Sequence, residues 1–190
     1  MLTPDALRNT FEAGHPYDAY VATGSAPNQE AWRAFRAGVS LTPTQAEVVG
    51  AFERQLFAIV SSGTWCGDCV QQVPMIDAIA GGSDGKVSVR YVDRDEHAEL
   101  AERLKLCGGL RVPVVLILNE DFDLLALEGD RTLARYRAMA ARQLGPSCPL
   151  PGAPVPAEEV AATLQDWVDA FERAHIMARL STKLRQRHSD

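Results

Sequence analysis

A short, almost continuous apolar run, Leu56–Ser61 (LFAIVS), is broken by Gly63-Thr64 and followed at once by Trp65-Cys66-Gly67-Asp68-Cys69. A helical pattern then carries Val70, Val73, Ile76 and Ala80 on to Gly81-Gly82. A run this apolar suits a strand covered on both faces, so the chain must supply helices to two sides of a sheet. Two cysteines therefore stand where a buried strand turns into a helix. Cys-x-x-Cys by itself admits half a zinc site, an iron–sulfur ligand pair or a redox dithiol. The strand-to-helix context separates them: it sets the Cys66 sulfur beside unsatisfied N–H groups and the positive end of the helix dipole. Such a site favours the thiolate, the attacking species in disulfide exchange. Cys69 follows one turn later, near enough to close a disulfide with Cys66.

The surrounding pattern extends the α/β reading. Thr3-Pro4 predicts a helix to about Ala13, Asn28 a second near Gln29–Ala37, and Thr42-Pro43 a third to about Arg54. Val87, Val89 and Tyr91 alternate as a second strand. Asp95 is read as the cap of a helix whose Leu100, Ala101 and Leu104 share a face, ended by Gly108-Gly109. Val112–Leu118 reads as a third strand, Asn119-Glu120-Asp121 as a turn and Phe122–Leu127 as a fourth strand, pairing antiparallel with the third. Gly129-Asp130 leads to a helix over about Thr132–Leu144. Gly145–Pro156 holds five of the chain's 11 prolines and is expected to be an extended connector. Beyond it, Val160, Leu164, Trp167, Val168 and Phe171 form an apolar helical stripe that must dock on the body or on a partner. The expected division is a helical extension over 1–54, a core over 55–145, a proline-rich connector over 146–156 and an amphipathic helix over 157–190.

The same sequence excludes other classes. A seven-residue maximum apolar run, Val112–Leu118, is too short to span a bilayer. A net charge of −6 argues against broad binding to nucleic-acid backbones. The N-terminus lacks a basic and an apolar signal region, so a cytoplasmic, reducing setting is expected. Cys66 and Cys69 have no second Cys-x-x-Cys to complete a metal site, so no metal and no organic cofactor is expected.

Trp65-Cys66-Gly67-Asp68-Cys69 resembles the WCxxC motif of the thioredoxin family. Pro74 stands five residues after Cys69, where thioredoxins have a helix-kinking proline. Arg111-Val112-Pro113, leading into an apolar strand, is similar to the family's cis-proline loop, and Gly129 resembles a glycine bordering its substrate groove. The resemblance covers roughly Leu56–Leu144. It implies a thioredoxin-like mixed four-stranded sheet flanked by helices, with extra N- and C-terminal helices. It also implies a thiol–disulfide oxidoreductase: Cys66 as nucleophile, Cys69 as resolving thiol, and a groove of Trp65, Gly67, Asp68, Val112, Pro113 and Gly129. The implied partners are a disulfide-bearing protein or a low-molecular-weight thiol, with a reductase as electron donor.

Two positions depart from the family. Thioredoxins carry a buried aspartate six residues before the first cysteine; here Val60 stands there. Asp68 replaces a proline, and its carboxylate is expected to raise the Cys66 pKa relative to an Asp68→Pro variant. The Val60 departure motivates a second reading, a binding or scaffold protein with weak catalysis; a third is metal binding by the Cys66/Cys69 pair. Cys107 is expected to be a buried small hydrophobe, Cys148 a loop cysteine, and His15, His97, His175 and His188 solvated or locally bonded. Arg179, Lys183, Arg185 and Arg187 are expected to complement a helix C-terminus, and Trp32, Phe35 and Trp167 to lie in the core.

Overall fold

The structure, a computed structural model, describes residues 2–144 and 155–188. Most of the proline-rich connector, with Cys148 inside it, lies outside the described residues.

Four short helices open the chain: α1 (Pro4–Ala13), α2 (Tyr17–Ala22), α3 (Ala26–Ala37) and α4 (Pro43–Gly50). There follow β1 (Leu56–Ser62), α5 (Gly67–Gly82), β2 (Val87–Asp93), α6 (Ala98–Arg103), β3 (Val114–Leu118), β4 (Leu124–Glu128) and α7 (Leu133–Leu144). Then come α8 (Ala157–Leu180) and α9 (Thr182–His188). The sheet order is β2-β1-β3-β4. β1 pairs parallel with β2 and antiparallel with β3, and β3 pairs antiparallel with β4. This is an α/β fold on a mixed four-stranded sheet, with additional helices at both ends.

Side chains alternate across the pleat and build two cores. Ala58, Val60, Val115 and Ile117 face one, together with Cys69, Ile76, Trp32, Trp167 and Phe171. Ile59, Val114, Leu116 and Leu118 face the other, with Leu7 and Phe11 of α1 and Phe122. Both faces of β1 and β3 are thus covered, as the unbroken apolar runs require. α8 lays Leu164, Trp167, Val168, Phe171, Ala174 and Ala178 inward, docking on α5, β3 and β4. Each large side chain buried there contributes about 1.5–3 kcal/mol.

Several local expectations change. α2 lies where no helix was predicted; its Tyr20 and Val21 are buried, and a six-residue helix gains its stability from such packing rather than from propensity. α3 starts three residues before Gln29, because Ser25 is the N-cap and Pro27 fits its first turn. α4 stops at Gly50 rather than near Arg54. The N–H groups of Glu53 and Arg54 instead donate to His175 Nε2, at 2.9 and 3.4 Å. His175 is therefore neither solvated nor locally bonded: it is buried in α8 and stacked on Phe52. Asp95 does not cap α6, which begins after His97; the Asp93 carboxylate accepts from Asp95 N and Glu96 N instead. β4 starts at Leu124, because Phe122 adopts φ 64° and the Asn119 side chain closes the preceding turn. Cys107 is exposed with φ 51°, not buried. The helix ends at Arg103, so Cys107 falls out of register with Leu100.

Candidate active site

Cys66 is the N-cap of α5, with φ −87° and ψ 122°, and its carbonyl accepts from Val70 N at 3.0 Å. Its sulfur lies at the mouth of the helix, partly exposed, while Cys69 one turn on is buried. The two thiols interact directly, and the effects are opposite. The Cys69 side chain donates to the Cys66 sulfur and, helped by the N–H groups of Cys69 and Asp68, brings the Cys66 pKa down to about 6 against its partial burial and the Asp68 charge. Burial pushes Cys69 well up, and the hydrogen bond to Cys66 and the Cys66 charge add to that. The pair therefore holds one thiolate at the surface and one thiol beneath it at neutral pH.

Opposite the dithiol, the Val112–Pro113 peptide bond is cis. Cys66 Sγ lies 3.6 Å from the Val112 carbonyl oxygen, to which it donates only in its protonated thiol form. Trp65 projects beside them, 52% exposed, with the Arg94 guanidinium 4.7 Å from its ring centroid. Arg94 also donates to the Leu110 carbonyl at 3.1 Å, so it links Trp65 to the segment before Val112. A Cβ on Gly63 would approach Trp65 Cε2 to 2.7 Å, which explains a glycine beneath the indole. Gly67 has open space where a side chain would be. Gly129 follows β4, and a Cβ on it would meet Leu106 Cδ1 at 3.1 Å and neither thiol within 4 Å.

The Asp68 carboxylate is held by two arginines. Arg131 Nη2 donates to Oδ2 at 2.5 Å and Arg135 to Oδ1 at 2.8 Å. Arg131 also pairs with Asp130 at 3.0 Å, and Arg135 with the buried Glu159 of α8 at 3.3 Å. Asp130 further accepts from Arg111 at 2.9 Å and from the Tyr136 hydroxyl at 2.5 Å. Burial opposes its ionisation, but Tyr136 and the arginines hold the Asp130 pKa below the usual carboxylate range. Gln72 of α5 donates to the Asp130 carbonyl at 2.8 Å, completing the tie. This network joins the cysteine helix, the cis-proline loop and α7 in one charge-balanced rim.

The N-terminal helices reach the site as well. Trp32 Nε1–H of α3 donates to the Thr64 carbonyl at 2.9 Å, in full burial. The structure thus brings Cys66, Cys69, Asp68, Val112 and Pro113 together with Trp65 at their side. Sequence reasoning missed Arg94, Trp32, Arg131, Arg135, Asp130 and Tyr136. Asp130-Arg131 directly after Gly129, with Arg135 four residues on, was the available signal. Among the described residues no three His, Cys, Asp or Glu side chains are grouped to hold a metal ion, and no helix is long and apolar enough to cross a membrane.

A family model for thioredoxin matches residues 14–139, well over half of the chain. The chain belongs to the thioredoxin family. That membership supports a redox-type function of the thioredoxin fold. The match begins inside the helical segment that was expected to be an extension. Thioredoxins from Staphylococcus saprophyticus and Staphylococcus haemolyticus are each 28% identical over 57 residues, covering 30% of this chain and 52% of theirs. The chain spans about half the length of these curated relatives. Among solved structures, a protein of unknown function from Pseudomonas aeruginosa superposes with a TM-score of 0.70 at 24% identity, covering 92% of this chain and 99% of that one. An HIV epitope scaffold superposes with a TM-score of 0.61 at 23% identity, covering 88% and 92%. Both likenesses speak to the fold.

Proposed function

We propose that this protein is a thiol–disulfide oxidoreductase that cycles Cys66 and Cys69 between dithiol and disulfide. The observation that carries the reading is the asymmetry of the pair: a partly exposed Cys66 with its pKa lowered to about 6 above a buried Cys69 held protonated. Cys66 attacks a disulfide of the partner and forms a mixed disulfide; Cys69 then attacks Cys66 and releases the reduced partner. Trp65, Gly67, Asp68, Val112, Pro113 and Gly129 border the substrate. An extended segment pairs with the backbone at Val112, in the manner of strand addition. The partner is a disulfide-bearing protein or a low-molecular-weight thiol, a reductase returns the electrons, and the setting is the reducing cytoplasm. Residues 55–145 form the redox unit, with 1–54 and 157–190 as helical additions to it.

The reading is tested by equilibrating the full-length protein in graded thiol/disulfide buffers and counting alkylatable cysteines by mass. A reversible two-electron transition between about −180 and −290 mV, abolished by Cys66→Ser, is expected. A pair that never oxidises, or stays oxidised well below about −300 mV as structural disulfides do, overturns it. A scaffold role with weak catalysis then takes its place; the apolar, fully buried Val60 at the aspartate position favours that second reading.

A further inference from the structure

Beneath the dithiol lies a pair of hydroxyls that the cycle has not used. Ser62 ends β1 two residues after Val60, and so on the same face of the strand. That face belongs to the core that also contains Cys69 and Tyr20. Ser62, Tyr20 and Cys69 are 0%, 1% and 0% exposed. Tyr20 of α2 stacks on Tyr91 at 5.8 Å, and Tyr91 is the β2 partner of Val60, so Tyr20 reaches beneath the aspartate position from the N-terminal helices. The Ser62 hydroxyl lies beside both the Cys69 thiol and the Tyr20 hydroxyl. Yet as placed, neither Ser62 Oγ nor Tyr20 OH closes a hydrogen bond with any described group.

A buried hydroxyl without a partner is costly, and native proteins keep few of them. Two such groups next to a thiol that must ionise have an evident use. We propose that Ser62 is a catalytic hydrogen-bond donor to the Cys69 sulfur as it becomes the attacking thiolate, and that Tyr20 positions Ser62 by donating to its Oγ. The inference rests on the oxidoreductase reading above. In the step concerned, the Cys69 sulfur bonds to Cys66 Sγ and the bond from Cys66 to the partner sulfur breaks. The electron pair leaves on the partner sulfur, which takes up the proton lost by Cys69; the two cysteines are oxidised and the partner disulfide is reduced. The hydroxyls neither gain nor lose a proton over the cycle. They supply from position 62 and from α2 what the apolar Val60 cannot. The other titratable groups bearing on this pocket are Cys66 and, through Tyr20, Asp93 at the end of β2.

The donor raises the thiolate fraction of Cys69 by roughly ten- to hundredfold. It also dulls the nucleophile with a Brønsted coefficient of about 0.4–0.5, so the resolving step gains about three- to tenfold. The test uses the full chain with Cys107 and Cys148 changed to serine, reduced and mixed in stopped flow with an aromatic disulfide that releases a coloured thiolate. A first release reports attack by Cys66, and a second reports resolution by Cys69. Ser62→Ala is expected to leave the first phase unchanged and slow the second about three- to tenfold; Tyr20→Phe slows it about twofold, and Ser62→Thr restores it. A purely structural effect would move both phases or the melting temperature together. A second phase as fast in Ser62→Ala as in the parent overturns the proposal and leaves the oxidoreductase reading standing. The isosteric Tyr20→Phe decides by the same ratio should Ser62→Ala fold poorly. A parent protein with no second phase overturns both.

Discussion

If Arg131 and Arg135 balance the charge of Asp68, removing them must make the Cys66 thiolate harder to form. Asp68 lies two residues beyond Cys66 in the first turn of α5, with a side chain only 17% exposed. Helix geometry places its carboxylate roughly 8 Å from the Cys66 sulfur. At an effective dielectric constant of about 20, two unit negative charges at that distance repel by about 2 kcal/mol, or about 1.5 pH units in a pKa. Solvent at the helix mouth and added salt reduce this to about one unit. The double variant Arg131→Gln/Arg135→Gln is thus expected to raise the Cys66 pKa from about 6 to about 7. Adding Asp68→Asn to it should return the value close to where it began. The assay is thiolate absorbance in the ultraviolet against pH on the reduced protein, with Cys66→Ser as the blank. A double variant within a few tenths of a unit of the parent, or a triple variant that stays high, refutes the charge-balance reasoning. The expectation from sequence that Asp68 raises the Cys66 pKa keeps its direction, since the carboxylate still opposes the thiolate. Its size is cut by two guanidinium groups that the motif does not reveal.

His175→Ala should destabilise the protein by about 2 kcal/mol in urea unfolding, because it leaves the N–H groups of Glu53 and Arg54 without their acceptor and unstacks Phe52; a loss below about 0.5 kcal/mol would show that the ring is dispensable. The Cys66 pKa is lower folded than unfolded, so the unfolded chain binds the extra proton between about 6 and the ordinary thiol value. The melting temperature of the reduced protein should therefore rise with pH across that window and fall as pH drops through about 6, with Cys66→Ser flattening the slope; an identical slope in the variant would contradict it.

The fold was legible because its signals are local. An apolar run of seven residues cannot sit at a half-wet surface, and a helix opening on Cys66 announces a polarised sulfur whatever surrounds it. The stripe on α8 named its buried face, since a period of 3.6 leaves little choice of orientation. Boundaries were less legible where a distant group decides them: α4 ends where His175, more than a hundred residues later, accepts the freed N–H groups. α2 was missed because its stability comes from burying Tyr20 and Val21, and no cap marks it.

The candidate site divides along the same line. Sequence alone determined the two thiols, their separation by one helical turn and their place at a strand-to-helix junction. Those depend on covalent order and backbone geometry, which tertiary contacts do not alter. Only the tertiary structure decided what surrounds the thiols. Arg131 and Arg135 meet Asp68 from over sixty residues away, Trp32 reaches Thr64 from α3, and Tyr20 of α2 joins Cys69 in one buried core. The physical reason is range. Capping and periodicity act within a turn or two of chain. Ion pairs, buried hydroxyls and desolvation depend on distances in space that no spacing in sequence encodes.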